Sequence, residues 1–144
     1  MTPRATPRRR HGAGFTLVEL AVVAVLASLL ASIAVPVWSA HLMRARRADA
    51  VAALNRVQMA QAQYQSHNGI YARQLAVLQG AASPVSSAGL YDISLREASA
   101  DGYLATARAR GDGAQKHDSE CRELLLVVRG GMVSHEPSSR CWNL

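Results

Sequence analysis

The sequence offers no serine, histidine and carboxylate set, no nucleophile elbow and no glycine-rich phosphate loop, and its five histidines are scattered. Nucleophilic and phosphoryl chemistry have no seat here, so an enzyme is not expected and no cofactor is assigned. Acidic residues are missing from the first fourteen positions, where Arg4, Arg8, Arg9 and Arg10 all fall. Charge of either sign is missing from Leu20 to Trp38, a run of nineteen residues. That is the length of a membrane-spanning helix. Cysteine is scarce, with Cys121 and Cys141 alone.

What is present fits one modest domain: 144 residues, 49% apolar and 18% charged. The formal charge of +6 suggests a nucleic-acid partner, but four of the sixteen basic residues belong to the leader. From Phe15 onward twelve basic residues face ten acids, so the basicity describes mainly Met1 to Gly14 and nucleic acid is not expected as a partner.

The leader, residues 1–14, holds Pro3, Pro7, Gly12 and Gly14 and cannot sustain a helix or strand. Under the positive-inside rule it stays cytoplasmic while the chain beyond Trp38 is exported, although Arg44, Arg46 and Arg47 weaken the bias. An ordinary secretory signal cleaved near Ser39 is the competing reading. The apolar run exceeds the usual ~7 to 15 residues of such a signal, and Pro36 and Trp38 crowd the site. Glu19 is harder to place, because a carboxylate inside an apolar helix costs up to about 3 kcal/mol near the bilayer centre. It either snorkels to the headgroups or meets a positive charge from another chain.

The string Gly14-Phe15-Thr16-Leu17-Val18-Glu19-Leu20, after a short basic leader and before an apolar run, closely resembles the class III signal of type IV prepilins. The resemblance implies that a prepilin peptidase cuts after Gly14, that the new amino group of Phe15 is methylated, and that Glu19 pairs with the amine of an adjacent subunit during assembly. A glycine suits the cut because it lets a protease approach the backbone closely. The resemblance extends to Pro36, which removes a helix hydrogen bond and marks a kink or a stretch that loosens in the filament. Many relatives have a glycine eight residues earlier, where this chain has Ser28.

A helix of about fifty residues from Phe15 would span roughly 75 Å. Its first part, 15–39, is the membrane-spanning and fibre-core half. In its second, 40–66, Met43, Ala50, Val57 and Tyr64 recur every seven residues with Leu54 between them, a stripe suited to packing on a sheet. Arg44, Arg46, Asp49, Asn55, Arg56 and Gln63 form the opposite face, and Asn68-Gly69 stops the helix. Arg44, Arg46 and Arg47 read as the interfacial flank of a membrane helix, with contact to lipid headgroups as the alternative.

Residues 67–89 read as a surface connection. Strand character follows: Tyr91, Ile93 and Leu95 alternate with polar residues, Tyr103, Ala105, Ala107 and Ala109 form a second alternating set, and Leu124 to Val128 is a short apolar run. Gly130-Gly131 signals a hairpin returning through Met132 to His135. The expected architecture is α+β: one long N-terminal helix on an antiparallel sheet of three or four strands within 90–136, the globular part occupying 40–144.

Cys121 and Cys141 bracket that hairpin. In an exported chain they read as a disulfide closing a loop, 121–141, worth roughly 3 kcal/mol. Zinc is the weaker reading, since there is no CxxC and neither His117 nor His135 stands at ligand spacing, so no metal site is assigned. Asp112, Asp118 and Glu120 lack the alternation of a calcium loop and read as a solvated acidic loop.

The segment Gly111 to Asp118 before Cys121, then a strand, a glycine turn and Cys141-Trp142, resembles the PilE-like branch of minor pilins. That resemblance implies a structural subunit of a type IV pilus. Such a subunit is held in the bacterial inner membrane by a single pass with a cytoplasmic N-terminus, then assembled with other pilins by an inner-membrane machine into a surface fibre for motility, adhesion or DNA uptake. A type II secretion pseudopilin, in a periplasmic pseudopilus, is the first alternative. The second is a specialised pilin that binds DNA or a ligand through Arg96, Arg108, Arg110, Lys116, Arg122 and Arg140. Against it, Asp101, Asp112, Asp118, Glu120 and Glu123 nearly balance those charges.

Overall fold

Residues 15–78 and 82–142 are described by a computed structural model; the leader 1–14, including Gly14, lies outside them. Helix α1 is Leu17–Asn68 and runs unbroken through Pro36. Chain contacts divide the protein into one unit ending at Trp38 and another beginning at Ser39. In the first unit every described residue is exposed, large apolar side chains included. The polar groups of that stretch turn inward on the helix, with the Ser28 and Ser32 hydroxyls donating to the Val25 and Leu29 carbonyls at 2.8 and 2.7 Å.

In the second unit, α1 ends where a left-handed glycine can end it. Gly69 has φ +74° and its N–H reaches the Gln65 carbonyl at 2.8 Å, while Asn68 donates to the Tyr64 carbonyl. The strands are β1 (Tyr91–Arg96), β2 (Gly102–Ala109), β3 (Glu123–Arg129) and β4 (Met132–Glu136). They form a single antiparallel sheet in the order β1-β2-β3-β4. Gly130 and Gly131 both have positive φ, as a two-residue hairpin between the paired Arg129 and Met132 requires.

One face of the sheet and one stripe of α1 make the core. Ala50, Ala53, Leu54, Val57 and Ala60 join Tyr91, Ile93, Tyr103, Leu124, Leu126, Val128 and the alanines of β2 at 105, 107 and 109. Alanine on both the helix and the central strand lets the two layers approach closely. Met43 and Tyr64, expected on the buried stripe, sit at its half-exposed ends. Tyr103 packs on Tyr71 with ring centroids 5.0 Å apart, and burial pushes its hydroxyl pKa well above the ordinary value. The disulfide Cys121–Cys141 is closed and both cysteines belong to the core.

The connection between α1 and β1 does more than run over the surface. Its segment Pro84 to Ser86 covers the free edge of β1, with Val85 bridging Asp92, the Ile93 N–H donating to the Pro84 carbonyl at 2.7 Å, and the Ser86 N–H to the Tyr91 carbonyl. The buried Gln61 amide exchanges two 2.8 Å hydrogen bonds with the backbone of Ala72, pinning the start of the connection to α1.

Gly102 is the tightest backbone approach, since a Cβ there would meet the Val128 carbonyl across the sheet. Gly102→Ala should therefore destabilise the domain by about 2 kcal/mol or more through forced strand displacement. Gly111→Ala, where a Cβ meets open space, should change stability by less than about 1 kcal/mol. Thermal melts of the two variants check the difference.

Candidate functional site

Two regions carry chemistry that the core does not need. The first is the start of α1. Thr16 precedes the helix and its hydroxyl accepts the Glu19 N–H at 3.2 Å, so Thr16-x-x-Glu19 has the spacing of a capping box. That spacing was legible in the sequence and gives Glu19 a local role beside any intersubunit one. Phe15 is 83% exposed, and the Glu19 carboxylate has no basic group within ion-pair distance among the described residues. The helix is long and apolar enough to cross a membrane, and none of its most apolar window is buried within the chain.

The second region lies at the end of the sheet where β2 finishes and β3 begins. Arg47 does not flank a membrane there, as its place beside Arg44 and Arg46 suggests. Its side chain is buried and forks onto Asp118, Nε to Oδ2 at 2.7 Å and Nη2 to Oδ1 at 2.8 Å, while Nη1 donates to the Arg140 carbonyl at 3.3 Å. By accepting these hydrogen bonds Asp118 raises the Arg47 pKa further, against desolvation, so the guanidinium stays charged.

Asp118 accordingly leaves the acidic loop expected of it and becomes a core residue. Gln115 completes the cluster, donating to the Tyr91 hydroxyl at 2.8 Å and to the Met43 carbonyl at 3.2 Å. The overlooked signal was position: Arg47 stands four residues after Met43 and seven before Leu54, on the apolar stripe itself.

The structure separates the six basic candidates. Arg96 ends β1 near Asp101 at one end of the sheet, whereas Arg108, Arg110, Lys116 and Arg122 gather at the other. The eight residues of β2 put about 25 Å between the ends. The disulfide brings Arg140 to the second end, next to Arg122. Arg110 is engaged by Asp92 and Asp112, and Arg108 approaches Glu123. The hydrogen bond from Arg110 lowers the Asp112 pKa. Lys116, Arg122 and Arg140 are exposed and lie outside ion-pair distance of any acid among the described residues. Asp101 is too distant and Asp118 too buried to offset them; Glu120 is the exposed acid that remains beside them without a pair.

Residues 36–125 match the family model described as type IV minor pilin ComP, DNA uptake sequence receptor. The chain belongs to this family. Residues 9–35 match the prokaryotic N-terminal methylation motif, so the two matches meet at Pro36. No curated protein matches the chain. The minor pilin thus has the α+β fold expected of it, and its family implies a structural role in a pilus, association with other pilins and processing by a prepilin peptidase.

Removing one member of a buried ion pair strands the other. Asp118→Ala should lower the unfolding free energy of the minor pilin by about 3–5 kcal/mol, whereas Arg47→Met with Asp118→Leu should cost less than about half of that. Chemical denaturation of the two variants checks the inequality.

Proposed function

We propose that this minor pilin is a DNA-capturing subunit of a type IV pilus. It is cut between Gly14 and Phe15, methylated on the Phe15 amine, and held in the inner membrane by the apolar half of α1 with the leader on the cytoplasmic side. Glu19 then meets the Phe15 amine of a neighbouring subunit as the fibre grows, and Pro36 gives that half of the helix room to adapt. The exposed Glu19 carboxylate, one helical turn from the amine that the cut frees on Phe15, supports this pairing, because in the apolar fibre core each charge needs the other. The work of extraction comes from the assembly machine, since packing apolar helices together only replaces lipid contacts.

The observation that carries the DNA-binding part is the set Lys116, Arg122 and Arg140, exposed beside the disulfide without acid partners. The family matched over 36–125 is described by its DNA uptake receptor, and three free cations on one end of a domain are a fit footing for phosphates. At this end Asp92 and Asp112 are engaged by Arg110 and Glu123 by Arg108, which leaves Glu120 as the acid facing the three cations.

Two experiments test the reading. Glu19→Ala should leave cleavage and methylation largely intact but remove the subunit from sheared fibres, and wild-type incorporation of the variant would refute the assembly role. The processed protein in detergent should retard duplex DNA at low salt. The logarithm of its binding constant should fall against the logarithm of salt with a slope of roughly −2 to −4, as about three phosphate contacts require. Replacing Lys116, Arg122 and Arg140 by alanine should flatten that slope, and no retardation by the wild type at low salt would remove DNA capture.

A further inference from the structure

The turn before the disulfide loop, which bears Lys116, and the end of that loop, which bears Arg140, are both tied to α1 by one guanidinium. Arg47 holds Asp118, which follows the 3-10 turn Ala114–His117 bearing Lys116, and it holds the carbonyl of Arg140 itself. Asp118 lies three residues before Cys121 and Arg140 one before Cys141, so Arg47 grips the chain just before the disulfide loop and again just inside its end. Gln115, in the same turn, adds a tether to Met43 of α1 and to Tyr91 of β1.

Stability alone does not call for this arrangement, because well-packed apolar residues serve a core as well as a buried ion pair. What the forked contact adds is direction: two parallel hydrogen bonds fix the orientation of Asp118 as well as its distance. The buried disulfide and the Ala109 N–H bond to the Arg122 carbonyl hold Arg122, and the contacts of Arg47 add the turn that bears Lys116 and the backbone of Arg140 to that frame.

We infer that Arg47 and Asp118 are positioning residues that hold Lys116, Arg122 and Arg140 in one preformed constellation for duplex DNA phosphates. The inference rests on the DNA-capturing reading above. Ordering these cations before contact lowers the entropy lost on binding, which raises affinity without adding any contact.

The test uses the full processed protein in detergent, as wild type, as Arg47→Met with Asp118→Leu, and as Arg47→Lys, which keeps the charge but loses the fork. Hydrogen exchange is followed in 113–122 and 138–142 against 102–109 and 123–129, alongside duplex DNA binding at fixed salt. The double variant should keep strand protection, lose about tenfold protection in the two loop segments, and bind DNA about five- to tenfold more weakly. Arg47→Lys should fall between, which also serves if the double variant does not fold.

A merely structural pair predicts otherwise: exchange in the loop segments matching the strands in every folded variant, or DNA affinity within about twofold of wild type despite a loosened loop. Either result overturns the inference. Failure of the wild type to bind DNA would instead sink the reading beneath it, and the inference with it, whereas loss of affinity only in the Arg47 variants supports both.

Discussion

One stripe of helix, from Arg47 to Gln61, holds the whole globular unit together. Its apolar members supply the helical half of the core, and its polar members reach out from the edges of that stripe as clasps. Arg47 takes the loop before β3 and the C-terminal segment, and Gln61 takes the start of the connection after α1. Asp49 accepts the Ala88 N–H and Arg56 donates to the Ser87 hydroxyl, fixing the end of that connection. A domain of roughly a hundred residues buries a smaller share of its surface than a larger one. Directed contacts from a single rigid element, with the disulfide, make up for a thin core.

The same helix must satisfy a second solvent. Before Trp38 it presents apolar side chains all round, a surface that water does not tolerate and that lipid or neighbouring helices do. Beyond Ser39 it presents a stripe. The functional residues divide in the same way, with Phe15 and Glu19 in the first unit and the exposed cations in the second, carried by loops that the clasps hold in place. Family membership and the two surfaces of α1 thus describe one object: a pilin whose first half is made for assembly and whose second half is made for presentation.

Much of this was legible in the chain. The charge-free run, the Asn68-Gly69 stop, the alternations of β1 and β2 and the Gly130-Gly131 hairpin each encode a local rule, and the elements appear where those rules put them. What was not legible depends on partners far along the sequence. Arg47 reads as surface until Asp118, 71 residues later, is brought against it. Gln61 is a neutral helix residue until Ala72 folds back. The 84–86 segment reads as loop because its proline and serine say nothing of the strand edge it covers. The charge balance hides a related fact: summed over sequence, Asp118 cancels an exposed cation, whereas in space it pairs with Arg47 and leaves Glu120 as the unpaired acid beside the exposed set.

The central claim, a processed pilin presented in a fibre, is tested most directly by the intact mass and N-terminal sequence of the protein from sheared surface fibres. A pilin drawn from the membrane into a fibre begins at N-methylated Phe15 and has the mass of one closed disulfide. A chain that begins near His41, or one confined to the membrane with its leader still attached, would contradict it.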